Sequence, residues 1–358
     1  MKLIHCADLH LDSKLESNIG KEKAKERRNE ILLTFERIVR FAKQEEVTAI
    51  LIAGDLFDTK NVAAKARNLV LDLIAQNPEI DFLYLRGNHD WKTNFIEGRT
   101  IPANLKCFGT DWIEYQYDNV SVWGKETMAD ESNYASLMTE PDRMNIVMLH
   151  GQEVRSNVKD DAGVIALPAL KNRNIDYLAL GHIHSYKKEK LDNRGIYCYS
   201  GCPEGRGFDE CGDKGIVLLE VEDDKVTETF VPMASRLLHE VKVDISGRET
   251  ATDILRAVDE KVADIPSKDM VKIILQGYYT VDTEKDFTYF DQAMEGRFYF
   301  LKWKDETRLS IDYKEYENMI SLKGEFVRTV MNGKETDEEK EQMILLGIRA
   351  LSGEDLGV

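Results

Sequence analysis

Thr48-Ala-Ile-Leu-Ile-Ala-Gly54-Asp55-Leu-Phe-Asp58 is an apolar run that stops at a glycine and two carboxylates. Such a run, too short for a helix and rich in β-branched residues, reads as a buried strand whose carboxyl end carries polar side chains. Similar segments lie on either side: Lys2 to Ala7, Asp81 to Arg86, Asn145 to Leu149 and Asp176 to Leu180. Between the first two strands, Ile31, Leu32, Phe35, Ile38, Val39 and Ala42 follow a 3.6-residue period and predict a long amphipathic helix near Asn29 to Lys43. A second helix is predicted from Val62 to Ala75. Alternation of this kind gives an α/β fold with helices outside a central sheet system, and such sheets bind ligands at the carboxyl ends of their strands.

Those strand ends hold the chemistry. The chain has seven histidines, and five of them directly follow predicted strands in small clusters. The clusters are Asp8-Leu9-His10, Gly54-Asp55-Leu56-Phe57-Asp58, Gly87-Asn88-His89-Asp90, His150-Gly151-Gln152 and Gly181-His182-Ile183-His184. Any one of them alone would read as a turn or a hydrogen-bonded strand end. Together they supply carboxylates, imidazoles and one carboxamide without a thiolate, a donor set that suits Mn, Fe or Zn better than Ca or Mg alone. His182 and His184, two apart on an extended segment, share a face and could serve neighbouring metals. One carboxylate such as Asp55 can bridge two cations, and two cations about 4 Å apart clamp an in-line displacement at phosphorus.

The ordered set of five clusters resembles the calcineurin-like metallophosphoesterase superfamily over roughly residues 1–235. Ile4-His5-Cys6-Ala7-Asp8-Leu9-His10-Leu11 is similar to the Mre11 and SbcD type of DNA-repair nuclease, including its bacterial YhaO-like branch. So is Tyr199-Ser200-Gly201-Cys202-Pro203-Glu204-Gly205-Arg206, which leads to Phe208, Glu210 and Lys214-Gly215. The resemblance implies a four-layer α/β/β/α sandwich, a small α+β capping domain and C-terminal helices. It also implies an exonuclease or endonuclease with two divalent ions, Mn2+ foremost, that activate a hydroxide against DNA phosphodiesters. Asp8, His10, Asp55 and His184 would hold the first ion; Asp55, Asn88, His150 and His182 the second. His89 would protonate the leaving oxygen or stabilise charge on the phosphoryl group. Asp58 and Asp90 would orient ligands or serve structure, and Arg206 would contact the phosphate. Glu153 and Arg155 read as a solvated loop beside the cleft, His5 as packing in or beside the first strand, and His239 as a residue without a motif around it.

After about residue 235 the pattern changes. Val241, Val243 and Ile245 alternate, Thr252 to Ala263 reads as a helix, Val271, Ile273 and Leu275 alternate again, and Arg297 to Lys302 is strand-like. These residues, 236–312, read as the small α+β domain. In 313–358, Tyr316, Met319, Ile320, Val327 and Val330 sit at helical spacing, and Thr336 with Glu339 forms a capping box for a helix carrying Met343, Ile344, Leu346 and Ile348. Such a tail packs on its own domain or docks on a partner. The resemblance implies that Tyr316 to Leu351 docks on a Rad50 or SbcC-like coiled-coil ATPase, and that a homodimer would use helices of the nuclease domain.

Composition bounds these readings. With 358 residues, 42% hydrophobic and 32% charged, the chain is globular, and without an apolar run of membrane length or a signal peptide it reads as cytoplasmic. Cys6, Cys107, Cys198, Cys202 and Cys211 are odd in number and read as free thiols; the spacing of the last three fits no common zinc finger. The net charge of −17 opposes nucleic-acid binding at first sight. Two bound cations would nevertheless leave the cleft positive, and Lys21, Lys23, Lys25, Arg27 and Arg28 or Lys187, Lys188 and Lys190 flank it in sequence. The expectation is weak DNA binding by this chain alone. The same metal chemistry also serves a small-molecule or cyclic-nucleotide phosphodiesterase or a phosphatase, and a non-enzymatic DNA-end tether is the third reading.

Overall fold

The computed structural model describes the chain except residues 16–18, 59–61, 94, 127–133, 156–162, 223–224, 281–282, 311–315, 317–318 and 352–358. It forms two compact units, Met1–Leu238 and His239–Val358.

The first unit begins β1 (Lys2–Cys6), α1 (Lys21–Gln44), β2 (Ala49–Ala53), α2 (Ala64–Gln76), β3 (Asp81–Leu85) and β4 (Leu105–Cys107). It continues with β5 (Ile113–Tyr117), β6 (Val120–Gly124), β7 (Met144–His150), β8 (Gln152–Val154), β9 (Val164–Ala166) and α3 (Leu167–Leu170). The remaining elements are β10 (Tyr177–Gly181), β11 (Lys187–Lys190), β12 (Ile196–Tyr199), β13 (Gly215–Glu222) and β14 (Lys225–Pro232). Two six-stranded sheets result, ordered β14-β13-β1-β2-β3-β4 and β11-β12-β10-β7-β6-β5.

Strand periodicity explains how they stack. Ile4, Ile50, Ile52, Phe82 and Tyr84 face α1 and α2, whereas the alternate residues Leu3, Ala49, Leu51, Leu83 and Leu85 face the second sheet. On β7 and β10, Ile146, Met148, Tyr177 and Ala179 point into that inter-sheet core, and Val147, Leu149, Leu178 and Leu180 point outward under α3 and Tyr134. Three apolar layers therefore separate helices, sheet, sheet and a thin outer layer, the α/β/β/α sandwich expected. Strands β1, β2 and β3 run parallel, as do β6, β7, β10 and β12, so their carboxyl ends gather the five polar clusters.

Helix α1 begins eight residues before the predicted start, and all six positions of its apolar stripe are buried. Its charged first turns are not the open basic face that their composition implies. Arg27 is 1% exposed, pairs with Glu30 and with Glu204 at 3.0 Å, and donates to Gly205 O at 2.7 Å. Glu204 also accepts from Thr34 Oγ1 at 2.7 Å and Ser235 N at 2.9 Å. This polar staple ties the loop after β12 to α1; a buried charge is tolerable only when paired in this way. The second basic cluster lies on edge strand β11, where Lys187 pairs with Glu153 at 2.6 Å and Lys188 with Glu228.

In the second unit, β15 (Leu238–Asp244), β16 (Met270–Gln276) and β18 (Phe300–Asp305) form a three-stranded sheet, and β17 (Tyr278–Tyr279) pairs with β19 (Arg308–Leu309). Helices α4 (Ala251–Val262) and α5 (Phe287–Ala293) cover that sheet through Ile254, Val258, Val262 and Phe290. β18 lies three residues beyond the predicted start, because Phe298 is taken into the core before the strand begins. α6 (Leu322–Met331) and α7 (Asp337–Leu351) pack through Val327, Val330, Ile344 and Ile348. The capping box forms reciprocally: Thr336 N donates to Glu339 Oε2 at 2.9 Å and Glu339 N to Thr336 Oγ1 at 3.3 Å. Ile320, Leu322, Met343 and Leu346 are exposed, so only part of each predicted stripe is spent on the hairpin. The boundary placed at 312/313 lies outside the described residues. Among those described, no helix is long and apolar enough to cross a membrane.

Candidate metal centre

Three of the five polar clusters leave their strands by a backbone that L-residues adopt reluctantly. Asp8, His10, Asp55 and His182 have φ of 54°, 46°, 50° and 104°. Each such residue costs on the order of 1–3 kcal/mol, and a fold retains a cluster of them only where the arrangement is over-determined. Here Asp8 N donates to Gly54 O at 3.1 Å and His10 N to Asp55 O at 3.0 Å, locking the first two clusters together. Asp90, expected to orient or to serve structure, is a structural pin: it accepts from Leu56 N, Gly87 N and the Tyr84 hydroxyl at 2.9, 2.7 and 2.6 Å.

Among the described residues four donor groups follow, two of them being His10 with Asp58 and His89, and His184 with Cys202 and Glu210; the other two share Asp8. In one, Asp8, His10 and His184 present ligand atoms within 4.8 Å of one another; in the other, Asp8, Asp55 and His150 do so. Asp55 lies between them, with Oδ2 at 3.9 Å from His10 Nε2 and 3.3 Å from His150 Nε2. Asn88 Oδ1 closes the second group, 2.9 Å from His150 Nε2 and 3.0 Å from His182 Nδ1. His182 and His184 thus divide between the two groups.

The hydrogen bonds behind the imidazoles decide which nitrogen is bare. His184 Nδ1 is 2.7 Å from Glu210 Oε1, His10 Nδ1 is 3.0 Å from Asp58 Oδ1, and His150 Nδ1 is 2.9 Å from Ala53 O. Glu210 and Ala53 O can accept from the Nδ1 positions of His184 and His150, whereas the His10 Nδ1 contact with Asp58 lacks hydrogen-bond geometry. His10 Nε2 and His184 Nε2 then oppose each other at 3.4 Å beside two buried carboxylates. Asp55 Oδ2, fully buried, accepts no well-formed hydrogen bond. A set of converging lone pairs of this kind repels itself until a cation is shared, so the residues fit divalent metal. Burial opposes charge on His150, yet the Asp55 carboxylate outweighs it and pushes His150 up to about 9; positive charge is favoured at that spot. Burial likewise raises Asp55, but the bond and charge of His150 hold it well below the usual carboxylate range.

His89 belongs to neither of the two groups that share Asp8, but joins His10 and Asp58 in a neighbouring one. Its side chain is 41% exposed and Nδ1 lies 3.1 Å from Asp58 Oδ1, a bond that raises its pKa. Its backbone N donates to Asp55 Oδ1 at 2.8 Å, so the imidazole is anchored to the shared carboxylate. Arg206, expected at the phosphate, lies behind the imidazoles with its donors engaged. Its guanidinium, 17% exposed, is given to Glu210 at 2.9 and 3.1 Å and to Asp58 at 3.1 Å. Glu210, behind His184, lies in the stretch that carries the family resemblance, but neither period nor spacing assigned it a role at the centre.

The leftover residues are elsewhere engaged. His5 is buried with Nδ1 2.9 Å from the Tyr177 hydroxyl and is held down to about 3 by burial. His239 faces Asp269 in the second unit at 2.9 Å. Glu153 accepts from Lys187 and from the Tyr199 hydroxyl, and Arg155 pairs with Glu189. All five cysteines are free, and Cys198 is buried in the inter-sheet core.

Gly181 shows how tightly the strands converge. A Cβ there would lie 2.0 Å from Ala53 O and 2.7 Å from His150 Nδ1. Gly181→Ala is expected to cost about 1–3 kcal/mol through overpacking and to push His150 off its Ala53 anchor. The thermal midpoint should fall and the further stabilisation by Mn2+ should shrink; an unchanged midpoint with the full Mn2+ response would contradict this.

The family model for calcineurin-like phosphoesterase matches residues 1–186. Among curated relatives, the chain is 25% identical to the uncharacterized metallophosphoesterase YhaO of Bacillus subtilis over 77% of this chain and 72% of that one. It is 24% identical to the DNA double-strand break repair protein Mre11 of Saccharolobus solfataricus over 88% and 85% of the respective chains. A second Mre11, from Sulfolobus acidocaldarius, is 25% identical over 80% and 77%.

Proposed function

The chain belongs to the calcineurin-like phosphoesterase family, and from that premise we propose that it is a two-metal phosphodiesterase acting on DNA ends, of the Mre11 and SbcD type. The observation that carries the reaction class is a pair of donor groups that share Asp8, with Asp55 Oδ2 3.9 Å from His10 Nε2 of one and 3.3 Å from His150 Nε2 of the other, and His89 tied by its backbone to Asp55. In this reading Asp8, His10, Asp55 and His184 hold one cation, and Asp55, Asn88, His150 and His182 the other. Mn2+ is the proposed ion, in keeping with the oxygen and nitrogen donors. When bound, the pair supplies Lewis acidity and lowers the pKa of water at the phosphorus. The protein's own groups do the rest: Glu210 and Ala53 O set the tautomers of His184 and His150, and His89 faces the departing oxygen. Residues 236–312 act as a capping domain. Tyr316 to Leu351 docks on a Rad50 or SbcC-like ATPase, a reading favoured by the exposed Ile320, Leu322, Met343 and Leu346.

DNA as the substrate is supported by the similarity to Mre11 proteins, which are named for DNA double-strand break repair. A specific observation favours a second reading, hydrolysis of a small phosphodiester: Arg27, Lys187 and Lys188 are all committed to carboxylates, leaving fewer cations for a polyanion. The deciding experiment compares Mn2+-dependent degradation of linear duplex DNA with turnover of a bis-aryl phosphodiester and a phosphomonoester, with and without a coiled-coil ATPase. DNA degradation that rises with the ATPase is the expected result. Turnover of small esters with none of DNA under either condition would establish the second reading instead.

A further inference from the structure

Behind the centre, one side chain touches both carboxylates that brace it. Arg206 Nη1 donates to Asp58 Oδ1 at 3.1 Å; Nε and Nη2 donate to Glu210 Oε1 at 3.1 and 2.9 Å, and the Arg206 backbone N donates to Glu210 Oε2 at 2.7 Å. One step further, Glu210 Oε1 reaches His184 Nδ1 at 2.7 Å, and Asp58 Oδ1 reaches His10 Nδ1 at 3.0 Å and His89 Nδ1 at 3.1 Å. We propose that Arg206 is a positioning residue that locks two imidazoles of the first donor group and the His89 imidazole into one rigid unit, so that cation binding and the placement of His89 depend on the same guanidinium. The inference rests on the two-metal reading above and deepens it.

The physical reasons are geometric. A planar guanidinium presents its donors in a fixed fork, and two carboxylates fixed to one fork cannot turn independently. Asp58 and Glu210 reach the centre from different loops, after β2 and after β12, and Arg206 is a short polar tie between them. Because the guanidinium is largely buried and its donors face carboxylates, it acts through His184, His10 and His89 and not on substrate.

Arg206→Ala should therefore lower kcat for a bis-aryl phosphodiester by about 10–100-fold, the range seen when a group behind a metal ligand is lost, with KM within about twofold. Calorimetric titration of the full chain with Mn2+ should show one of two sites weakened by about tenfold. Arg206→Lys, which can reach one carboxylate but not hold both, should recover part of each loss. If Arg206→Ala is too unstable to purify, the Lys variant is compared with Glu210→Gln, Asp58→Asn and their double variant. Coupling of at least fivefold between Glu210 and Asp58, reduced in the Lys background, is then expected, and additive effects would overturn the proposal. It is also overturned by a raised KM at unchanged kcat, which means direct phosphate contact. Loss of thermal stability alone, with Mn2+ affinity and kcat intact, overturns it as well. A wild-type protein that binds no Mn2+ pair would instead refute the two-metal reading itself.

Discussion

Asp55→Asn is expected to abolish hydrolysis and the paired binding of Mn2+ and to leave the metal-free protein less stable than the parent at neutral pH. Asp55 is the carboxylate common to both proposed cation sites, and its buried Oδ2 has no well-formed hydrogen bond but lies 3.3 Å from His150 Nε2. A carboxamide keeps an acceptor for the His89 N–H, now 2.8 Å from Oδ1. It would give up the ion pair by which the carboxylate raises His150, and its NH2 would face that protonated ring. It brings no negative charge to share between two cations. Losing several kcal/mol of charge stabilisation corresponds to at least about 10³-fold in rate. The check is calorimetric titration with Mn2+ beside thermal denaturation without metal. Wild-type binding of two Mn2+ by the variant would remove Asp55 from the centre.

The parts of the site legible in sequence are the proposed metal ligands. Asp8, His10, Asp55, Asn88, His150, His182 and His184 each follow an apolar run, and the parallel strands bring such ends together whatever lies between them. The residues that brace them follow no period. Glu210 sits in a loop, and only the tertiary fold brings it to His184. Asp58 was visible as the second carboxylate of its cluster, but its sharing among His10, His89 and Arg206 was not. Arg27 lies in a run of charges that reads as a solvated helix face, and its burial depends on Glu204, far away in sequence. Strand β11, Lys-Lys-Glu-Lys, carries no apolar alternation because it is a sheet edge whose faces are covered by ion pairs. The four-layer order follows from two-residue periodicity, whereas the direction of each brace follows from partner geometry.

His89→Ala is expected to keep both cation sites and lose catalysis in a way that reveals what His89 does. The imidazole lies outside both donor groups that share Asp8, and Asp58 favours its protonated form through a 3.1 Å contact. A group that donates a proton to a departing alkoxide contributes about 10²–10⁴-fold. It contributes far less when the leaving group is an aryl oxide already stable as the anion. Were His89 instead to stabilise charge on the phosphoryl oxygens, both kinds of ester would slow alike, because that charge is common to them. The proton-donor role therefore predicts a fall of at least about 10²-fold on an alkyl phosphodiester such as DNA and about tenfold or less on a bis-aryl ester, with Mn2+ affinity preserved. Equal losses on the two substrates would assign His89 to phosphoryl charge, and loss of Mn2+ binding would make it part of the metal centre. Since its backbone N–H is tied to Asp55 and its ring to Asp58, the same residue can hold either role only from this one position, and the leaving-group comparison is what distinguishes them.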